Sequence, residues 1–191
     1  MTLRELVLKN RSYRRFYEEV SIDTETLREW IDLGRLAPSG RNVQPIKYTI
    51  SNEPALNAMV FETLAWAGYL PEWQGPEQGE RPAAYIVQLG DKEIAENYYG
   101  DNAYSAQNIL LGAVEKGFGG CIIASVKRKE LRTVLNIPEQ YEILNVLALG
   151  KPKENVIITE IDSIHGVKYY RDNDKNHYVP KRSLDEIILK F

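Results

Sequence analysis

Leu3, Leu6 and Val7 recur at helical spacing and predict a first helix at the start of the chain. Asp23 stands as the N-cap of a second helix reaching Ala37, with Leu27, Trp30, Ile31 and Leu36 mostly on one face and Pro38 as its stop. Residues 39–45 have turn composition, and the alternation and β-branching of 46–50 predict a strand. A helix over 54–68, a loop over 69–82 and a mostly buried strand over 83–89 follow. The clearest helix is 104–116, with Ala103, Ala106, Ile109, Leu110, Ala113 and Val114 as its stripe and Gly117 as its terminator. Its small residues Ala106, Gly112 and Ala113 let another helix approach closely. Beyond it the pattern predicts a short strand (121–124), a short helix (127–135), a central strand (143–149) and a further strand (156–161). Residues 163–180 are polar and aromatic without clear periodicity, and Ser183 caps a last helix with Asp185 and Glu186 in its first turn. Such an ending suggests an arm that packs elsewhere, on a second subunit.

Composition narrows this picture. A chain of 191 residues with 43% hydrophobic residues fits one domain, 1–191, of α/β or α+β class. No stretch approaches eighteen consecutive apolar residues, so no membrane span is expected, and the basic N-terminal stretch lacks the features of a signal peptide. With one cysteine there is no internal disulfide and no thiolate cluster for a metal, so cytoplasm is the default compartment. The 24 Lys plus Arg against 27 Asp plus Glu argue against nucleic-acid binding, which needs a surplus of cations. The cations instead gather locally, as Arg11, Arg14 and Arg15 and as Lys181 and Arg182, the arrangement a small anionic ligand calls for.

Several chemistries lack support. Gly117-Phe118-Gly119-Gly120 follows a helix and precedes a strand, the reverse of a dinucleotide-binding turn, so it reads as a helix cap and tight turn. His165 and His177 have no metal-ligand spacing, and Cys121 sits in an apolar strand without a nearby histidine. No GxSxG motif is present.

Five separated segments resemble, in order, the motifs of the nitroreductase family of FMN-dependent NAD(P)H oxidoreductases. Asn10-Arg11-Ser12-Tyr13-Arg14-Arg15-Phe16 is similar to its R-R-S-x-R-x-F opening, and 36–45 to A-P-S-x-x-N-x-Q-P. Ser105-Ala106-Gln107-Asn108-Ile109-Leu110-Leu111 resembles A-x-Q-N-L-L-L, and 117–123 the G-L-G-x-C turn and strand. Lys181-Arg182-Ser183-Leu184-Asp185-Glu186-Ile187 resembles R-R-P-L-E-E-I. Asn10 stands where the family has arginine, Ile46 replaces an aromatic residue, and Lys181 replaces arginine.

The resemblance implies an α+β fold: a mixed, mainly antiparallel sheet flanked by helices, with a C-terminal extension exchanged in a homodimer. It implies tightly bound FMN, NAD(P)H as donor and a small acceptor such as a nitroaromatic or quinone, reduced by a ping-pong mechanism. Arg11, Ser12, Tyr13 and Arg14 then hold the FMN phosphate and ribityl side or the flavin edge, Arg14 being first choice for stabilising charge near N1–C2=O. Asn42 and Gln44 hydrogen-bond the flavin ring, and Ile122, Ala124 and Ser125 contact it mainly through backbone. Lys181 and Arg182 complete the phosphate site, and the flavin, not a side chain, carries the hydride. Trp66, Tyr69 and Trp73 face the acceptor or belong to core and surface. The rivals are another flavin reaction on the same scaffold, reductive dehalogenation or flavin cleavage, and a non-catalytic flavin-binding protein.

Overall fold

A computed structural model describes residues 1–190. Helix α1 (Leu3–Lys9) opens with a capping box in which Thr2 Oγ accepts from the Glu5 N–H and the Glu5 carboxylate accepts from the Thr2 N–H. Strand β1 (Phe16–Tyr17) follows, then α2 (Thr24–Arg35), whose Asp23 cap accepts from the Thr26 N–H at 2.7 Å. After a single 3-10 turn (Gly40–Asn42) come β2 (Ile46–Ser51), α3 (Pro54–Phe61) and β3 (Ala84–Asp91). Then follow α4 (Asp101–Glu115), β4 (Gly119–Ile123), α5 (Arg128–Leu135) and β5 (Tyr141–Pro152). The tail holds β6 (Val156–Glu160), β7 (Tyr170–Arg171), β8 (His177–Lys181) and α6 (Leu184–Ile187).

The main sheet places β3 between β2 and β5, and β5 also pairs with β4 and, at its end, with β1; every pairing is antiparallel. The parallel element is β6–β8, in a separate three-stranded sheet completed by β7. Alternation along the central strands sorts side chains into two cores. Tyr85, Val87, Val146 and Ala148 meet α3 and α5 residues such as Val60 and Leu131. Ile86, Leu147 and Leu149 meet Leu27, Trp30 and Ile109 of α2 and α4. Burying each of these large side chains contributes roughly 1.5–3 kcal/mol. The molecule is therefore a helix–sheet–helix sandwich of α+β class.

The small residues of α4 serve this sandwich. A Cβ on Gly112 would lie 2.4 Å from a Leu33 methyl, and one on Gly34 would lie 2.9 Å from Ile109, so α2 and α4 touch backbone to side chain. The partner that those residues admit is thus α2 of the same chain. Gly117, at φ +80°, ends α4 with the paired bonds Phe118 N–H to Ala113 O and Gly117 N–H to Val114 O. The helix-cap reading of these glycines holds.

Four expectations change. The third helix stops at Phe61 rather than 68, because Leu64 bridges Val126 and the Ala65 N–H donates to Ser125 O, which pull the chain away. Helix α4 begins at Asp101, and Ala103 is exposed rather than part of its buried stripe. Leu36 is also exposed, one residue past the end of α2. The aperiodic segment contains β7 and β8, which pack on their own chain through Tyr169, Arg171 and His177. The last stretch is unsupported: Leu184, Ile187, Ile188 and Leu189 are all exposed.

Candidate functional site

The extended segment after α1 lies along β4. Ser12 forms a parallel bridge with Gly120, and the Tyr13 N–H donates to Gly120 O at 3.1 Å. The Tyr13 ring covers Gly119, where a Cβ would come within 2.6 Å of it, and its hydroxyl donates to Lys9 O. Tyr13 is therefore a spacer whose hydroxyl is already committed. Asn10, in place of the family's arginine, is buried and donates to Gln107 on α4, so it serves packing. Arg11 donates from Nη2 to Val7 O, closing the end of α1, while its Nε is buried with no acceptor. A guanidinium donor left without an acceptor is costly, and an incoming anion relieves that cost.

Arg14 and Arg15 point to different surroundings, as neighbours on extended chain do. Arg14 donates from Nη1 to Ser12 O at 3.2 Å, lies 3.3 Å from His177 Nε2 and stacks 4.9 Å from the Tyr169 ring centre. No hydrogen bond engages its Nε or Nη2 among the described residues. Its backbone N–H is held by Glu154, a buried carboxylate that also accepts from Arg171 at 3.0 Å. Arg15 instead grips Glu80 with two bonds of 2.5 and 2.6 Å, and Lys153 reaches the same carboxylate at 3.1 Å. The Arg15 hydrogen bond, reinforced by Lys153, holds the Glu80 carboxyl at a pKa of about 2. Burial pushes the Cys121 thiol up, which suits an inert core cysteine.

The second group of candidates sits on the loop 39–44. Asp101, buried at the first turn of α4, accepts from Ser39 Oγ at 2.6 Å and from the Gly40 N–H at 3.0 Å. Ser39 Oγ in turn accepts from the Gln44 N–H at 2.8 Å. These bonds hold Arg41, Asn42 and Gln44 at φ 52°, 58° and 56°, three left-handed non-glycine residues within four positions. Asparagine tolerates this region better than most residues, and strain of this kind gathers at binding sites. Asn42 presents an exposed amide, whereas Gln44 donates to Asn42 O.

The structure lays the Arg11–Arg14 segment beside β4, with Ser12 opposite Gly120, two residues before the exposed Ile122, and Ala124 and Ser125 follow the end of the strand. It does not bring Asn42, Gln44, Lys181 or Arg182 to that segment within one chain. No hydrogen bond or ion pair among the described residues links the loop 39–44 to Arg11–Arg14. Lys181 ends β8 opposite Glu160, about 13 Å along the strand from His177. Arg182 pairs with Glu186. Trp66 belongs to the core, and Trp73 stacks on the Arg171 guanidinium at 4.0 Å. A cavity of about 450 Å³ lies among Arg15, Tyr69, Leu70, Trp73, Glu80 and Arg171; neither Asn42 nor Ile122 lines it. Sequence reasoning missed Glu80, Asp101, Glu154, Tyr169 and His177, because none belongs to a motif and all but Asp101 act on residues 65 to 163 positions away.

The free donors of Arg11 and Arg14 suit a phosphate and an electron-rich ring edge, and the exposed Asn42 amide suits a heterocycle with donors and acceptors. That donor set fits a phosphorylated flavin. No helix among the described residues is long and apolar enough to cross a membrane. An Archaeoglobus fulgidus protein, provisionally named an NADH dehydrogenase/NAD(P)H nitroreductase, is 26% identical over 166 residues, covering 83% of this chain and 90% of its own. The solved FMN-dependent nitroreductase of Clostridium difficile R20291 shares the fold across 99% of this chain and 98% of its own, with a TM-score of 0.68 at 21% identity. A solved iodotyrosine deiodinase, bound to FMN and 3-iodo-L-tyrosine, shares it with a TM-score of 0.66 at 20% identity, over 80% of this chain and 90% of its own. The family model "Nitroreductase family" matches residues 7–151, which include the Arg11–Arg14 segment, the Asn42 loop and β4. The chain belongs to the nitroreductase family, the flavin oxidoreductases to which its five motifs point.

Proposed function

We propose that this chain is a cytoplasmic, homodimeric FMN-dependent oxidoreductase that passes hydride from NAD(P)H to a small acceptor such as a quinone or nitroaromatic. The observation that carries this reading is the pair of arginines with uncommitted donors, Arg11 at Nε and Arg14 at Nε and Nη2, on the segment that runs beside β4. Bound FMN supplies the hydride chemistry at its N5. Arg11 and Ser12 take the phosphate and ribityl side. Arg14 stabilises negative charge on the N1–C2=O side of the ring, as a fixed cation does most effectively away from bulk water. Asn42 orients the ring, and the Ile122–Ser125 stretch supports it. The separation of Asn42, Lys181 and Arg182 from Arg14 within one chain supports a site shared by two protomers. The exposed Leu184, Ile187, Ile188 and Leu189 support an arm that crosses to the second copy.

Donor and acceptor would use this one site in succession, so steady-state lines in double-reciprocal plots are expected to run parallel. Mixing the purified protein anaerobically with NADH and with NADPH bleaches the flavin absorbance, and adding a quinone restores it. Arg11→Ala with Lys181→Ala lowers flavin occupancy, since each removes charge-assisted bonds of roughly 1.5–3 kcal/mol. A protein that binds no FMN, or FMN that neither nicotinamide bleaches, overturns the reading. A monomeric mass by light scattering with flavin retained overturns the shared site.

A further inference from the structure

We propose that His177, on the tail strand β8, is the positioning residue that aims the Arg14 guanidinium at the flavin edge. This rests on the reading of Arg14 given above. Its starting point is a buried contact that the family motifs do not contain. His177 is 1% exposed and its Nε2 lies 3.3 Å from Arg14 Nη1. Arginine can only donate, so His177 must accept through Nε2 and carry its proton on Nδ1. That Nδ1 is buried without a partner. The imidazole thus leaves one donor unsatisfied while its lone pair meets Arg14, which an adventitious packing contact does not require.

Three contacts together fix the guanidinium plane. Ser12 O and His177 Nε2 both engage Nη1, and the Tyr169 ring lies across one face, itself 5.1 Å from the His177 ring. The opposite edge, Nε and Nη2, stays free for a ligand. Burial first, then Arg14 and Arg171, lowers the His177 pKa to about 4, so the ring stays neutral and its lone pair available near neutral pH. Strand β8 is placed by its parallel pairing with β6, Val156 opposite His177, and by the bond from the His177 N–H to Asn155 O at 2.8 Å. The segment without periodicity therefore reaches back to the donor set at the other end of the chain.

The test compares wild type, His177→Gln and His177→Phe. Glutamine restores an acceptor near the Nε2 position, whereas phenylalanine fills the space without one. In the FMN-loaded protein, His177→Phe slows anaerobic hydride transfer roughly tenfold to a hundredfold, as misaimed groups do. It also moves the flavin midpoint potential, measured with a chemical reductant, to a more negative value; His177→Gln recovers both. In flavin-stripped protein, phenylglyoxal modifies Arg14 faster in His177→Phe than in wild type or His177→Gln, as read by mass spectrometry. Nitrogen NMR of the wild-type ring shows a protonated Nδ1 and a bare Nε2, a readout that survives if the phenylalanine variant fails to fold. Equal Arg14 labelling in all three proteins, an unmoved potential or the opposite tautomer overturns the proposal. Wild-type flavin that neither nicotinamide bleaches overturns the reductase reading instead, while labelling and tautomer still decide the role of His177.

Discussion

Arg14 and Arg15 are neighbours in sequence and opposites in circumstance. Arg15 is nearly buried and spends its guanidinium on both oxygens of Glu80, with Lys153 on the same carboxylate. Arg14 is half-buried, fixed through one nitrogen and by an aromatic face, with its other donors unspent. The two have the same chemistry, so the difference lies in what the fold supplies as acceptor. Where the fold provides a matching carboxylate the arginine stabilises, and where it provides one-sided support the arginine is left to bind. Composition cannot separate these cases; the satisfaction of each donor can.

The largest effect that would sharpen this contrast is on turnover. Arg14→Leu reduces the rate of hydride transfer by about 10²–10³, the loss expected when one preorganised charge-stabilising donor is removed. Its unfolding midpoint in urea stays near wild type, because Arg14 has no ion-pair partner among the described residues and its one side-chain hydrogen-bond neighbour is a neutral imidazole. Stopped-flow bleaching and a denaturation curve check both halves. A variant that unfolds but still transfers hydride at the wild-type rate would reverse the assignment of the two arginines.

Arg15→Leu should do the opposite. Leaving Glu80 without its bidentate partner costs about 2–3 kcal/mol of stability, below the full cost for a deeply buried pair because 18% of the Glu80 side chain remains exposed. FMN affinity and hydride transfer are expected to stay within a few-fold. Urea denaturation of the holoprotein at fixed flavin concentration provides the comparison. Loss of flavin binding without loss of stability would place Arg15 in the site after all.

Acid separates the two regions by window. The Glu80 pKa falls from 4.5 to about 2, so its ion pairs are fully present above 4.5 and their contribution is lost as pH falls from 4.5 towards 2. His177 is depressed from 6.5 to about 4, so the unfolded chain takes up its proton first and stability declines as pH falls from 6.5 to 4. Each window is worth about 1–3 kcal/mol. Equilibrium unfolding against pH should show the upper decline vanish in His177→Phe and the lower one vanish in Glu80→Gln. Persistence of the upper decline in His177→Phe would mean that another group titrates there.

Much of this arrangement was legible in local sequence. Asp23 and Ser183 mark helix starts, Gly117 marks the end of α4, and the apolar runs of β3 and β5 mark buried strands, because each depends on residues a few positions apart. The motif segment Arg11–Arg14 does run beside β4, the strand of the G-L-G-x-C motif. What local pattern could not reveal is which cations are already paired. Glu80, Glu154 and His177 meet their arginines across 65, 140 and 163 positions, and nothing near them in sequence announces a partner. The tail strands were hidden for a related reason. β7 and β8 are short and partly exposed, and their pairing is set by β6 and by the aromatic stack Tyr170–Tyr178 rather than by alternation.

The smallest effect concerns Asn42, where backbone and side chain make separable demands. At φ 58° the residue sits in left-handed space, held there by the bonds of Ser39 and Gly40 to Asp101 at the start of the 3-10 turn and of the Gln44 N–H to Ser39 beyond it. Asn42→Ala loses the amide and adds strain of roughly 0.5–1 kcal/mol, whereas Asn42→Gly loses the amide and keeps a compatible backbone. If the amide orients the flavin, both variants slow hydride transfer to the same extent while FMN affinity changes little, since Arg11 and Ser12 still hold the phosphate. Their stabilities then differ by the strain alone, readable as a small offset between two denaturation curves. A glycine variant with wild-type hydride transfer would show that Asn42 is there for its tolerance of a left-handed turn. The binding function of the loop would then fall to its backbone groups.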